Sequence, residues 1–332
     1  TPQQPSTLTQ QNIPVTKHVY SAGYGADAMD HPARQRKAYW LPASTRLAEQ
    51  LLTLGQSTLS KYSFFCQILT DSTQISLRYA EKFSKIDLAI QKIIKNLREN
   101  NFISVDKDCS FAYRMNSLAD QSAEDVASMA IPIGCVAYLS AMQHWGLTNR
   151  VPEALHFRVP TVKTYRILLA QQIIRDTGVD PATLPEAKRP NLPNNSLPSM
   201  LRGRKVITHS TADMGKWLKI RGRHMRITTI GQTFLDMIEA PEACGGMFHV
   251  RDVWREHAKT FLQEITQSID DSRSDIIKIR AGYFLDEMLG ILSVEKAQDW
   301  LQYVQKGGSR RLDPTKPLSD NMSKKWMLSI NV

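Results

Sequence analysis

Between Lys85 and Arg98 the chain spaces five side chains suited to duplex nucleic acid: Lys85, Gln91, Lys92, Lys95 and Arg98. Lysine and arginine neutralise phosphates, and the last four recur at intervals that put them on one side of a helix. A glutamine amide can pair with the edge of adenine, and a lysine can reach the acceptors of guanine. Gln91 and Lys92, in the first turns, are the candidate base readers. Lys85, Lys95 and Arg98 are the candidate phosphate contacts. Arg78 and Lys82 precede them, and Lys107 and Arg114 follow within reach of a neighbouring groove or backbone. A second basic concentration holds Arg202, Arg204, Lys205, Lys216, Lys219, Arg221, Arg223 and Arg226 against one acid, Asp213, with Trp217 and His224 interleaved. Such a patch could take DNA outside the first region, an RNA or a partner's acidic face. An ordinary solvated face would read the same way.

These residues need elements to position them. Ser44 or Thr45 can cap a helix through Leu47, Ala48, Leu51, Leu52 and Leu54, which Gly55 ends. A second helix is expected from Ser57 to about Thr70, with Leu59, Tyr62, Phe65, Cys66 and Leu69 inward, and a short third over Ile75–Phe83. Ser84-Lys85 breaks it. Ile86–Asn100 then carries an apolar stripe, Ile86, Ile90, Ile93, Ile94 and Leu97, at three- and four-residue spacing. Beyond Asn101 the period turns towards alternation, and FISVDKD and CSFAYRM read as a hairpin turning near Lys107. Short helix, break, longer helix and hairpin is the order of a winged helix-turn-helix. A solvated amphipathic helix would show the same stripe; the hairpin after it and the helix before it favour DNA binding.

Further on, helices are expected over Ser122–Ala130, Val136–Trp145, Thr161–Asp176, Gly231–Ile238, Val250–Ser268, Ser274–Leu289 and Ser293–Lys306. Strands are expected at 155–160, Lys205–Thr208 and His224–Thr229, and residues 180–200, with five prolines, read as a loop or linker-like insertion. The tail from Gly307 reads as basic and irregular. The fold class is α+β: residues 1–43 as a flexible basic segment, 44–118 as the winged helix-turn-helix, and 119–332 as a mixed α/β domain.

Composition bounds the rest. The 332 residues carry 42 Lys and Arg against 32 Asp and Glu, a net charge of +10 that favours polyanionic partners. With 42% hydrophobic and 22% charged residues the chain is globular rather than disordered. Cys66, Cys109, Cys135 and Cys244 are far apart, form no CxxC pair, and read as small buried hydrophobes in a reducing compartment. No apolar run approaches the roughly 18 residues that span a bilayer. Thr1–Pro14 is polar and Gln-rich without a signal-peptide core, so the expected compartment is the cytoplasm. The motifs GxxxxGK[ST], GxGxxG, GxSxG and HExxH are all absent. His249, Asp252, Glu256 and His257 could share a helix face as a metal site, but Arg251 and Arg255 interrupt them and favour a solvated, ion-paired helix. The expectation is no enzyme, no cofactor and no metal.

From Gly134 onward the chain resembles the AbiEi family of antitoxins. Val136 to Thr148 (VAYLSAMQHWGLT) resembles that family's small-residue helix ending in histidine, followed by Gly-Leu-Thr. Ile227–Ile238 (ITTIGQTFLDMI) resembles its strand-then-helix element, and Pro241, Gly245 and Gly246 match its proline and paired glycines. With the N-terminal winged helix the resemblance covers about 45–330. The N-terminal segment is longer than in family members, and Cys244 precedes the glycine pair. The resemblance implies a bacterial cytoplasmic antitoxin that binds inverted repeats in its own promoter as a repressor. It also implies antagonism of an AbiEii-like nucleotidyltransferase toxin without a stable complex. Read from the residues alone, these motifs have scaffold roles, and His144 is a capping or core histidine. The alternative is a basic RNA- or protein-interaction module without operator binding.

Overall fold

The computed structural model describes residues 44–71, 82–304 and 310–332. The expected N-terminal segment and most of the short helix over Ile75–Phe83, Arg78 included, lie outside them. The described chain is mixed α+β, and none of its helices is long and apolar enough to cross a membrane.

Helix α1 runs over 44–53. Strand β1 (Thr58–Ser60) follows it and leads directly into α2 (Lys61–Thr70), which Ser60 starts in a capping box with Ser63. The strand takes Leu59 from the helix expected there. Helix α3 (Ile86–Glu99) buries Ile86, Ala89, Ile90, Ile93, Ile94 and Leu97, the expected stripe. Each isoleucine so buried contributes roughly 1.5–3 kcal/mol. The helix ends where Asn101 turns left-handed at φ 58, and the Asn116 amide binds the Asn101 carbonyl at 2.8 Å. The hairpin β2 (Ile103–Val105) and β3 (Ala112–Met115) joins β1 in an antiparallel sheet of order β1-β3-β2.

Helix α4 (Ala123–Ala130), capped by Ser122, leads to β4 (Cys135–Val136) and α5 (Tyr138–His144). The helix expected from Val136 thus starts two residues late, because Val136 pairs with Ile227. Strand β5 (Ala154–Pro160), helix α6 (Val162–Thr177) and strand β7 (Arg204–Thr211) form a β-α-β unit, paired in parallel from Ala154↔Lys205 to Pro160↔Thr211. With β6 (Met200–Leu201), β8 (Trp217–Lys219) and β9 (Arg226–Thr228) they complete a mixed six-stranded sheet of order β6-β7-β5-β4-β9-β8. Strands β6 and β8 are too short to show alternation in the sequence.

The remainder is helical. Helix α7 (Ile230–Glu239) is capped by Thr229, and the Gly245-Gly246 turn, both residues at φ 88, opens α8 (Met247–His257). The single helix expected over Val250–Ser268 is two, since α8 stops at His257 and α9 starts afresh as Leu262–Asp270. Trp254 and Ile265 lie three turns apart in sequence, so the apolar phase survives the break and hides it. Helix α10 (Asp275–Gly282) continues as a π-helical turn over Tyr283–Met288, and α11 is Val294–Leu301. The tail is mostly irregular over 310–332, but it forms a short hairpin, β10 (Met322–Ser323) with β11 (Leu328–Ser329), and sends Leu312, Trp326 and Leu328 fully into the core. Its apolar residues are too scattered for a period to betray them.

Three cores organise the described residues, the smallest of them lining the sheet with Val126, Leu155, Phe157 and Ile227. One gathers Phe234, Trp254, Phe284, Trp300 and Trp326 from α7–α11 and the tail. Another collects α1–α3 with Tyr165, Leu169 and Ile173 of α6, so a helix from beyond residue 118 completes the core of the N-terminal elements.

Helix α7 approaches α9 closely at Gly231, where an added Cβ would lie 2.1 Å from the Glu264 carbonyl oxygen. Gly231→Ala therefore pushes two backbones apart, with an expected loss of about 1–3 kcal/mol or more in urea unfolding. A variant as stable as the parent would show that α7 and α9 are not in fixed contact.

Candidate nucleic-acid interface

The side of α3 opposite its buried stripe exposes Gln91, Lys92, Lys95 and Arg98, with Lys85 exposed at the N-cap. The two acids of the helix are both answered by lysines. Asp87 binds the Lys61 ammonium at 2.8 Å, and Glu99 lies 3.7 Å from that of Lys95. Lys85, Lys92 and Arg98 have no ion pair with a described residue. Leu88 shares this face, 46% exposed, one turn before Gln91 and Lys92. Sequence reasoning assigned it no role; an exposed leucine on an otherwise polar helix face was the available signal, and such a group can meet a thymine methyl.

The hairpin supplies the opposite wall. Gln91, Lys95 and Arg98 face Ser104, Val105 and Tyr113 across a groove of about 840 Å³. Arg114, on the central strand β3, is half-buried, and its Nε has no hydrogen-bond partner. Lys107 sits at the hairpin turn as expected, but its ammonium lies 3.1 Å from Asp120. Lys82 is exposed beside the described start of this region.

The proline-rich stretch is anchored to the same helix. Lys61 also donates to the Asn191 carbonyl at 2.7 Å, and the Asn191 amide donates to both oxygens of Asp87 at 3.2 and 3.3 Å. Tyr165 holds the carbonyl of Pro193 at 2.9 Å. The loop is thus a strap across the start of α3, bringing Arg189 to the same depression as Lys85.

The second basic run is not one free cationic face. Arg202, its side chain 8% exposed, binds Asp106 at 2.6 Å, Asp108, and Asp120 at 2.7 Å, while its own amide donates to Asp108 at 2.9 Å. Arg204 pairs with Glu124, Lys216 with Asp271, and Arg223 with Asp125 at 2.7 Å. The Arg226 guanidinium donates to the Gly134, Ser128 and Ile131 carbonyls. Lys205, Lys219 and Arg221 are exposed without an ion pair to a described residue. The acids that answer this run come from other parts of the chain, which local charge counting cannot see.

His144 ends α5 exposed, edge-on to Trp145 at 5.0 Å, so it is not a core histidine. Trp145 instead carries the structural bond, donating to the Thr228 carbonyl at 2.9 Å. His249 and Asp252 border a depression with Glu256 and His257, and Asp252 lies 3.5 Å from Arg255. Among the described residues no group of three or more His, Cys, Asp or Glu is arranged to hold a metal ion.

No family model matches the chain, and no curated relative matches it. Among solved structures, the RV2827C protein from Mycobacterium tuberculosis aligns over 87% of this chain and 90% of its own, at 12% identity and a TM-score of 0.39. A likeness at that level carries no argument.

The Arg202 clamp has a measurable signature. Burial would raise the Asp106 carboxyl, but the bonds from Arg202 and from the backbone of 108 and 109 outweigh it and hold the group below its ordinary value of 3.8. Asp120 is lowered likewise, by Lys107 and Arg202. Depressed carboxylates contribute stability that is fully present above the unfolded value and is lost as pH falls through the folded one. Arg202→Ala leaves Asp106 buried and unpaired, with an expected cost of about 3–5 kcal/mol in urea unfolding at pH 7. The variant should also lose less stability than the parent as pH drops below 3.8. Equal stability at pH 7 would mean the clamp contributes nothing.

Proposed function

We propose that this protein binds double-stranded DNA through a winged helix-turn-helix, with α3 in the major groove and the β2–β3 hairpin as the wing. One observation carries the reading. An apolar-docked helix presents Gln91, Lys92, Lys95 and Arg98 to solvent beside an antiparallel hairpin, across a groove open along its length. Gln91 and Lys92, with Leu88 on the same face, read base edges; Lys85, Lys95 and Arg98 hold phosphates. Lys107 and Arg114 lie on the wing, and Arg189 on the strap beside Lys85.

On the resemblance of residues 45–330 to AbiEi antitoxins, the bound DNA is the protein's own promoter, read at inverted repeats, and the protein is its autorepressor. On the same footing it works in the bacterial cytoplasm against a nucleotidyltransferase toxin, without catalysis of its own and without a stable complex.

Fluorescence anisotropy on the DNA upstream of its own gene tests this. Affinity should fall steeply between about 50 and 200 mM salt. Lys95→Ala or Arg98→Ala should weaken binding on all sequences and flatten the salt dependence by about one unit of slope. Gln91→Ala and Lys92→Ala should cost about 1–3 kcal/mol on the promoter and little on unrelated DNA. Binding of any duplex with indifference to all four residues would instead favour a non-specific basic module, and a promoter fragment left unbound would refute the proposal.

A further inference from the structure

A second cavity lies away from α3, where α1 and α2 face α4, α6 and the β8–β9 edge of the sheet. It has a volume of about 670 Å³ and no residue of α3 lines it, so a ligand held there would not occupy the DNA-contacting face proposed for that helix. We propose that it is a binding site for a small organic anion whose phosphate or carboxylate sits on Arg226 and Lys219.

The charge of Arg226 is the first reason. The residue is partly buried, and every acceptor its guanidinium meets is a neutral carbonyl: Gly134 at 2.8 Å from Nε, and Ser128 and Ile131 from one terminal nitrogen, Nη2. Among the described residues no carboxylate pairs with it, and Nη1 is left without a partner in a side chain that lines the cavity. A cation withdrawn from water and satisfied only by dipoles is costly, and an anion is its natural complement. The guanidinium also lies over the Trp217 ring at 5.8 Å, where the indole orients the group without neutralising it. Lys219 adds a second cation to the same lining, again with no ion pair to a described residue.

The one acid among the described lining residues, Asp176, acts on Arg226 at a distance but forms no ion pair with it. Asp176 spends its oxygens on neutral donors, accepting from the Tyr62 hydroxyl at 2.6 Å and from the Gln172 amide at 2.9 Å. That use of Gln172 leaves its carbonyl oxygen buried with no donor, in a residue only 4% exposed that also borders the cavity. The site therefore offers cations for an anionic group and an acceptor for a hydroxyl or amine. Leu54 and Met129 give it an apolar portion, and its volume exceeds that of an inorganic ion. An organic acid or phosphate ester carrying a hydroxyl or amine meets all three requirements.

Calorimetric titration of the full chain with inorganic phosphate and with citrate, each against sodium chloride at matched ionic strength, tests the assignment. A saturable millimolar response to phosphate alone marks a phosphate ester, to citrate alone a carboxylate, and either supports the site. Lys219→Glu changes an exposed, unpaired side chain, leaves the fold intact and should weaken that response roughly tenfold or more. Arg226→Lys should do the same where it folds, because an ammonium cannot reproduce the guanidinium's forked contacts. No response beyond the chloride control, or one unchanged in Lys219→Glu, overturns the proposal.

Discussion

The placement of the β2–β3 hairpin against the large sheet rests on Arg202. Its guanidinium and backbone amide reach Asp106, Asp108 and Asp120 and so tie the tip of the β2–β3 hairpin to the β6–β7 turn of the large sheet. Strand β3 already holds the hairpin to β1, and Arg202 fixes its far end. Three carboxylates around one planar donor set the hairpin in place, because the fork of a guanidinium satisfies several acceptors in one geometry only. The same clamp consumes the acids at the hairpin tip, whose charges would otherwise repel a phosphate backbone.

The strap at Asp87 plays the matching part at the other end of α3. An aspartate in the first turn suits the helix dipole but opposes an incoming polyanion. Lys61 and the Asn191 amide absorb that charge while docking a loop from the sheet's side of the molecule. Helix α6 reinforces the arrangement by lending Tyr165, Leu169 and Ile173 to the core beneath α1–α3. The N-terminal elements are consequently held by the rest of the chain at the tip of the hairpin, the start of α3 and the base of their core.

That junction leaves the second cavity between its walls. Burying Arg226 among backbone carbonyls fastens α4 and the loop before β4 to strand β9, and it places there a positive charge that no described carboxylate pairs with directly. Arg202 and Arg226 differ in how they are satisfied. Both arginines fasten separate segments together, but only Arg202 does so with carboxylates, while Arg226 does so with backbone carbonyls.

What the sequence alone settled was local. The isoleucine stripe of α3, the change of period into the hairpin, the helix beginning near Ser122 and the β5-α6-β7 succession were legible because each is written in residues a few positions apart. What only the tertiary structure decided was long-range. Asp106 and Asp120 lie far upstream of Arg202, so no window on the sequence pairs them. The same holds for Arg204 with Glu124 and for Lys216 with Asp271, which is why a dense basic run looked like a free surface although four of its eight cations are held in ion pairs. Trp326 entered the core from a tail with no periodicity, and β6 and β8 became strands because a sheet edge was there to receive them. Side-chain periodicity reports which face of an element is apolar; which partner meets that face, and which charges cancel, is fixed only when distant segments share a place.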